Sequence, residues 1–206
     1  MEAGGCCSHD HDCEDENCGG TSLHGYIDTT KVTVLNASNP DSLKNVFRPW
    51  DQRLARDVEP LNSDEDDPEL LIFIPFTSDV KIRSIMVIGG PDGTSPSSMK
   101  VFTNREGLDF ETVADLPPTQ EWNLVENLNG QYEYQTRFTK FQGVANLTIH
   151  FPSSFGGDNT TIWYIGLRGE GTKNVRAPVT NVVYEAVPQI KDNRTPGDDG
   201  AARMLM

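Results

Sequence analysis

The sequence predicts an all-β protein, a single antiparallel β-sandwich or barrel. The length of 206 residues fits one domain with a core of its own. Short runs of β-branched and aromatic residues recur along the chain, and turn residues separate them. No amphipathic helical pattern longer than about ten residues lies between these runs, so βαβ units are not indicated.

The first half of the chain contains four strand candidates and one helix candidate. Residues 32–35 form a short β-prone run, and residues 40–47 are predicted to be helical because Pro40 suits a first helical turn. Residues 69–76 are almost continuously apolar, with Pro75 near the expected strand end. A β-branched run at 80–88 stops at a glycine-rich loop and is followed by a short strand candidate at 99–103.

The second half adds four more strand candidates. Residues 132–138 alternate aromatic or Thr with polar side chains, and residues 147–151 alternate in the same way. Runs at 160–167 and 179–187 complete the set. In the second alternation His150 falls on the strand face opposite Ile149 and Phe151, so it is expected to be an edge or surface histidine. The aromatic residues, which are Trp50, Trp122 and Trp163 with five Tyr and nine Phe, are expected mostly in the core.

The charge argues against some classes of partner. The net charge is -14, and no basic run occurs, which excludes a typical nucleic-acid binder. No apolar run approaches the length of a membrane-spanning helix, and the first twenty residues lack the pattern of a secretory signal. We therefore expect a monomer in the cytoplasm and nucleus that binds neither nucleic acid nor membrane.

Three regions are predicted along the chain. Residues 1–20 are rich in Gly, Cys, His and acids and are expected to be a disordered acidic tail. Residues 21–187 hold the strand candidates and no cysteine, so the sandwich needs no disulfide. Residues 188–206 are expected to be a second disordered tail.

The first tail is also the richest cluster of metal-ligand types. Thiolates and neutral imidazoles are the usual zinc ligands. The spacings match no standard zinc motif, and a flexible tail loses chain entropy when it closes around an ion. A specific zinc site, weak adventitious zinc binding and a plain tail without cofactor remain as alternatives for Cys6, Cys7, His9, His11, Cys13 and Cys18.

A second acidic stretch, residues 57–69, carries seven acids and no base. Such a run is either a solvated loop or an electrostatic docking patch for a basic partner. Its densest part does not fit a calcium-binding loop, because Glu69 and Pro75 stand where that loop needs Gly and Glu. We predict that a partner binds at this densest part, which consists of Asp64, Glu65, Asp66 and Asp67.

Six segments, in order, resemble the PITH domain family, which includes the C-terminal domain of thioredoxin-like protein 1. They cover roughly residues 26–187 and are LNSDEDDPELLIFIPF (61–76), KIRSI (81–85), MKVFTN (99–104), LDF (108–110), KFQGVANLTI (140–149) and TIWYIGLRGE (161–170).

The resemblance implies a jelly-roll β-sandwich similar to galactose-binding-like domains, and a docking role on the regulatory particle of the 26S proteasome. It supplies no catalytic residues. This chain lacks a Cys-x-x-Cys pair and has no room for the thioredoxin domain of the longer relative, so its redox activity is not expected. No activated nucleophile or acid–base pair is visible either. The sequence thus predicts a non-enzymatic protein-interaction domain, with a sugar or small-molecule binding module as the alternative.

Overall fold

Strands dominate the computed structural model, which describes residues 20–175, and every pairing between them is antiparallel. The strands are β1 (Thr21–Ser22), β2 (Thr33–Leu35), β3 (Leu61–Asn62), β4 (Leu70–Gly89), β5 (Ser98–Thr103), β6 (Gln120–Asn123), β7 (Tyr134–Gln135), β8 (Val144–Phe151) and β9 (Thr161–Val175). Two short helices are described in this range, α1 (Leu43–Val46) and α2 (Phe110–Asp115). Single 3-10 turns occur at His24–Tyr26, Pro40–Ser42, Trp50–Gln52 and Phe138–Lys140.

Strand β4 belongs to both layers of the sandwich. Its first half pairs with β2 and β8, and its second half pairs with β9 and, at two positions, with β7. The register shifts between Pro75 and Val80, where the strand passes from one layer to the other. A β-bulge bends a strand and increases its twist, which is how one strand can serve two layers.

The core lies between these layers. Alternate residues of β4, β5 and β8 face it from the first layer, and alternate residues of β4 and β9 face it from the second. Ile72, Val101 and Ile149 meet Ile85 and Leu167 in this cluster, and all of them are buried. Full burial of one such side chain stabilises the fold by about 1.5–3 kcal/mol, so this shared core holds the layers together.

The outer face of the first layer is covered by residues 104–116, which we call the helix cover. Phe110 and Val113 of α2 pack on Leu71 and Phe102 as a separate small apolar cluster. Asp109 begins the helix, because its carboxylate accepts hydrogen bonds from the Thr112 backbone N–H at 2.8 Å and the Thr112 hydroxyl at 2.6 Å.

The outer face of the second layer is covered by residues 48–56, which we call the arginine cover. Met86, Ile88 and Tyr164 are buried there, and half-buried Trp50 and Trp163 pack against them. Both layers thus carry a small second core on the side that faces away from the main one.

Most predicted strands are confirmed, namely those at 32–35, 69–76, 80–88, 99–103, 147–151 and 160–167. The runs at 69–76 and 80–88 are one strand, since Thr77, Ser78 and Asp79 form no turn between them. The predicted helix at 40–47 is confirmed as a 3-10 turn that continues into α1. Strand 179–187, residues 1–19 and residues 188–206 lie outside the described residues.

Several predictions are wrong. The run at 132–138 contains only the two-residue strand β7 and part of a 3-10 turn, because Tyr132 and Phe138 are exposed and its alternation has no buried face. His150 is buried at 3 % exposure, since the helix cover lies over its face of the sheet. Of the aromatic residues expected mostly in the core, Phe102, Phe141, Phe151 and Tyr164 are buried. Trp50, Trp122 and Trp163 are instead half-buried at the edges of the cores. Among residues 20–175, no helix has the length and apolar character needed to cross a bilayer.

Candidate functional site

The predicted partner-binding residues form an exposed turn between β3 and β4. Asp64, Glu65, Asp66 and Asp67, which we call the acidic turn, are all exposed. Within residues 20–175, no Lys or Arg nitrogen lies within 4 Å of their carboxylates. Four negative charges are therefore presented to solvent, and residues 20–175 place no counter-charge beside them.

The backbone of the acidic turn is tied to the sandwich on one side by Asn36. The Asp64 N–H donates to the Asn36 carbonyl at 3.0 Å, and the Asn36 side-chain amide donates to the Glu69 carbonyl at 2.8 Å. Asn36 adopts a positive φ of 64°, a conformation that Asn tolerates better than most residues. This residue therefore holds both ends of the turn.

The turn is tied on the other side by Ser63 and Thr160. The Ser63 hydroxyl accepts from the Thr160 N–H at 2.8 Å, and the Thr160 hydroxyl donates to the Pro68 carbonyl at 2.6 Å. Both residues are fully buried. A turn fixed in this way loses little conformational entropy when a partner binds.

The four carboxylates do not have the same role. Asp64 Oδ1 accepts from the Glu65 N–H at 2.7 Å, and Asp67 Oδ1 accepts from the Glu69 N–H at 3.0 Å. These are local side-chain-to-backbone contacts that shape turns. The side chains of Glu65 and Asp66 form no such contact with other residues of the described range, so they are the two acids available to a partner.

Glu69, which follows the acidic turn after Pro68, is hydrogen-bonded to His150. Its Oε1 lies 2.7 Å from His150 Nε2, and His150 is cross-strand neighbour to Leu71 and Lys100. Burial lowers the pKa of His150, while the hydrogen bond to Glu69 opposes this shift in part. The neutral imidazole therefore donates its Nε2–H to the carboxylate.

This pair does not resemble a working acid–base centre. The Phe110 ring meets the imidazole edge-on at a centroid distance of 6.3 Å, and His150 Nδ1 is buried without a hydrogen-bond partner in the described structure. A general base must reach the proton that it abstracts, and the helix cover separates the His150 imidazole from any substrate in solvent. We interpret Glu69 and His150 as a structural pair that joins the acidic turn to β8.

Two glycines of the TIWYIGLRGE segment are explained by close packing. A Cβ at Gly169 would overlap the carbonyl oxygen of Lys81 on the neighbouring strand, and one at Gly166 would lie 2.7 Å from the Tyr164 ring. These positions need Gly because the backbone or a ring approaches closely. These two glycines therefore have a structural role in packing β9 against its neighbours.

A groove of about 310 Å³ lies between the helix cover and the edge strand β2. Leu35, Phe73 and Leu108 make its wall apolar, and Lys31 and Glu106 supply one charge of each sign. The Thr148 hydroxyl in the same groove is buried and has no partner within residues 20–175. The volume of the groove lies at the lower end of the range of small-molecule sites.

The predicted metal ligands all lie outside the residues that the structure describes. No group of three or more His, Cys, Asp or Glu that could hold a metal ion occurs within residues 20–175. The zinc alternatives concern residues outside the described range, namely Cys6, Cys7, His9, His11, Cys13 and Cys18.

Comparison with known protein families gives one match over most of the chain. The PITH domain model matches residues 13–188. PITH domain-containing protein 1 from Dictyostelium discoideum is 39% identical over 184 residues, which cover 89% of this chain and 90% of that protein. PITH domain-containing protein 1 from Homo sapiens is 38% identical over 172 residues, which cover 84% and 80%. No catalytic family is indicated by these matches.

Comparison with solved structures identifies the fold. The CBM32-1 and CBM32-2 domains of Clostridium perfringens ZmpB, solved in complex with GalNAc, match 71% of this chain with a TM-score of 0.52 and 9% identity. The match spans about a third of that solved chain, 35% of its length. A family 89 glycoside hydrolase from the same organism matches 78% of this chain and 16% of its own, with a TM-score of 0.51 and 12% identity. The predicted galactose-binding-like jelly-roll sandwich is thereby confirmed.

Proposed function

The chain belongs to the PITH domain family, and we propose that it is a non-enzymatic protein-interaction domain that docks on the regulatory particle of the 26S proteasome. The observation that carries this proposal is the prebuilt acidic turn, whose four carboxylates are exposed and lack a counter-charge within residues 20–175. The identity of the partner rests on the family resemblance described above.

The proposed mechanism is electrostatic steering followed by surface docking. An uncompensated acidic patch attracts a basic partner over about one Debye length, roughly 8 Å at physiological salt. Since the turn is already ordered, it also fixes the register of the complex at small entropic cost. Apolar contacts around it then supply most of the affinity.

We further propose that the domain works as a monomer in the cytoplasm and nucleus, without a bound cofactor. What supports a non-catalytic role is that the matched family indicates no catalytic activity. The burial of His150, whose side chain is 4% exposed and lies against Phe110, supports it as well.

The test reverses only the two acids that do not hold the turn together. Glu65→Lys combined with Asp66→Lys keeps Asp64 and Asp67, so the turn should keep its shape. The matched control is Asp115→Lys with Glu126→Lys, which changes the net charge equally at two other exposed positions. Binding of each full-length variant to immobilised, purified regulatory particle is measured by biolayer interferometry at low and physiological salt.

We expect the association rate of the Glu65/Asp66 variant to fall about tenfold at low salt and to lose most of its salt dependence. The control should stay within about twofold. Equal rates for both variants would show that the acidic turn is not the contact. A wild-type chain that does not bind the regulatory particle would refute the docking proposal as a whole.

A sugar or small-molecule binding module is the alternative, and the groove beside Phe73 and Thr148 is the observation that favours it. A ligand that binds the native state raises Tm, and the rise grows with the logarithm of the ligand concentration relative to its Kd. A thermal-shift titration with GalNAc and galactose, repeated on Phe73→Ala, tests this alternative. A rise in Tm that Phe73→Ala abolishes would support it, and no rise would argue against it.

A further inference from the structure

Four arginines and two tryptophans gather on the outer face of the second layer. Trp50 and Trp163 lie against its small core, and Arg48, Arg53 and Arg56 come from the segment that covers it. Arg168 joins them from β9. In a chain with a net charge of -14, this is a local concentration of positive charge on a face of its own. We call these six residues the arginine surface.

The guanidinium groups are stacked on the indole rings. The Cζ atoms of Arg53 and Arg168 lie 4.6 and 4.9 Å from the centre of the Trp50 ring. Arg56 Cζ lies 4.5 Å from the centre of the Trp163 ring. Stacking uses the flat face of a guanidinium and leaves its N–H edge for hydrogen bonds, and that edge matches the geometry of a carboxylate. On Arg53, Nη1 already donates to the Trp50 carbonyl at 3.1 Å.

Arg48 lies beneath these groups and is only 8 % exposed. Its Nη2 donates to the carbonyls of Ala55 at 3.3 Å and Trp163 at 3.2 Å. Its Nε and Nη1 are buried and find no partner among residues 20–175. Burial lowers the pKa of Arg48 and of Arg56, because the charged form is poorly solvated there.

Carboxylates compensate this charge only in part. Arg168 Nη1 lies 3.1 Å from Glu133 Oε1, which forms an ion pair. For Arg48, Arg53 and Arg56, no Asp or Glu oxygen lies within 4 Å in the described part of the chain. Asp57 favours the charged form of Arg48 from beyond that distance. A partly buried cation without a close counter-ion is destabilised by desolvation, and an incoming anion would relieve that cost.

Exposed apolar side chains border the same surface. Leu54 is 48% exposed and Leu128 is 37% exposed. Arg56 Nη2 donates to the Leu128 carbonyl at 2.7 Å, which places that loop beside the arginines. Trp and Arg are enriched among the residues that dominate binding energy in protein interfaces, and the exposed leucines beside them add apolar area that a partner can bury.

We propose that the arginine surface docks a short acidic segment of a partner protein, with Arg53 and Arg56 binding its carboxylates and Leu54 and Leu128 receiving its bulky apolar side chains. This inference rests on the proposed interaction function and gives it a second surface, opposite in charge to the acidic turn. The domain would then hold a basic and an acidic partner element at separate places.

The chain's own first residues are a less suitable occupant. Arg168 Nε donates to the Gly20 carbonyl at 3.3 Å, so residues 1–19 are joined to the chain beside this surface. They hold six acids, but Met1 and Ala3 are their only apolar residues apart from cysteines. They could supply charge to the arginines but could not cover the two leucines, which a partner segment with both kinds of side chain can do.

The test uses the full chain and three labelled synthetic peptides. The probe is fluorescein-EDLFEDELFE. The two controls are KKLFKKKLFK, which keeps the apolar residues, and EDSSEDESSE, which keeps the acids. Binding is followed by fluorescence anisotropy. The protein variants are Arg53→Glu with Arg56→Glu, the charge-preserving Arg53→Lys with Arg56→Lys, and the exposed control pair Arg105→Glu with Arg137→Glu.

We expect only the acidic–apolar probe to bind wild type well. Charge reversal at Arg53 and Arg56 should weaken it by at least about tenfold, the Lys variant by a smaller factor, and the control pair by no more than about twofold. Thermal melts identify any variant that fails to fold. If the charge-reversal variant does not fold, the affinity of the Lys variant for the probe decides whether Arg53 and Arg56 form the binding surface.

Equal binding of the acidic and the lysine peptides, or an unchanged affinity in the Arg53/Arg56 variants, would overturn the proposal. A further full-length variant replaces the six acids of residues 1–19 with their amides. If the probe binds that protein and not wild type, the chain's own segment occupies the surface and the proposal is wrong. Because the regulatory-particle assay uses Glu65 and Asp66, failure here leaves the proposed docking function to be judged separately.

Discussion

The two covers of the sandwich bury similar sheet faces by different means. The helix cover places Phe110 and Val113 on Leu71 and Phe102, and it buries the polar His150 as well. The arginine cover stacks guanidinium groups on Trp50 and Trp163, which remain half-buried. A cover of apolar side chains closes its face, whereas a cover of cations and aromatic rings shields the sheet and still leaves N–H edges at the surface.

This difference suggests a division of labour. The helix cover should contribute mainly to stability, and the arginine cover should give up some stability to keep a face available for binding. Three substitutions test this comparison, and their expected effects decrease in the order given.

The largest effect is expected under the helix cover. Phe102→Ala removes a side chain that is 1 % exposed and leaves a cavity beneath α2, so the free energy of unfolding should fall by about 3–5 kcal/mol. Urea unfolding measures this loss. Phe155→Ala, at a Phe that is 41 % exposed, is the control and should change stability far less. A loss below about 1 kcal/mol for Phe102→Ala would mean that the helix cover does not seal its face.

A smaller effect is expected under the arginine cover. Arg48→Ala removes the donor to the Ala55 and Trp163 carbonyls, at a cost of about 1–3 kcal/mol, but it also removes a poorly compensated buried charge. The net loss in urea unfolding should therefore be smaller than for Phe102→Ala. Arg105→Ala, at an exposed position, serves as the control. A loss as large as that of Phe102→Ala would contradict the distinction between the two covers.

The smallest expected effect is on the pH dependence of stability, and it concerns His150 beneath the helix cover. Because burial lowers the pKa of His150 below its usual 6.5, the unfolded chain binds this proton more tightly than the folded one. The stability due to neutral His150 is therefore full above about pH 6.5 and is lost as the pH falls below that value. His150→Gln should flatten the fall in stability between about pH 7 and pH 5.

Urea midpoints at several pH values measure this slope, and His24→Gln is the matched control. An unchanged slope in His150→Gln would show that the buried imidazole does not titrate with folding. A slope that flattens equally in His24→Gln would mean that the effect is not specific to the helix cover.

The sequence predicted the fold well where residues face the main core. The segments 147–151 and 69–76 both face the core between the layers. Their apolar residues are therefore spaced as a strand requires, and this spacing can be seen in each segment alone. Strand β6 escaped prediction because it is a polar edge strand with sequence QEWN. The segment 132–138 was overpredicted because its aromatic residues alternate without forming a buried face. They make local contacts instead, such as the hydrogen bond that the Tyr134 hydroxyl accepts from the Val125 N–H at 2.8 Å.

The acidic turn could be predicted from composition, but its internal roles could not. That Asp64 and Asp67 shape the turn while Glu65 and Asp66 do not depends on backbone geometry fixed by Asn36 and Thr160. The covers were missed for the same reason. The pattern of β8 places His150 on the outer face, and nothing in that strand reveals that another segment lies across it.

The dual membership of β4 also governs how the molecule can come apart. With both layers hydrogen-bonded to one continuous strand, neither layer can detach as an independent unit. Amide hydrogens in its two regularly paired segments, 70–74 and 81–88, should therefore exchange with deuterium only when the whole domain opens. Since β4 pairs with segments far away in the chain, refolding should be slow compared with that of helical proteins of this size.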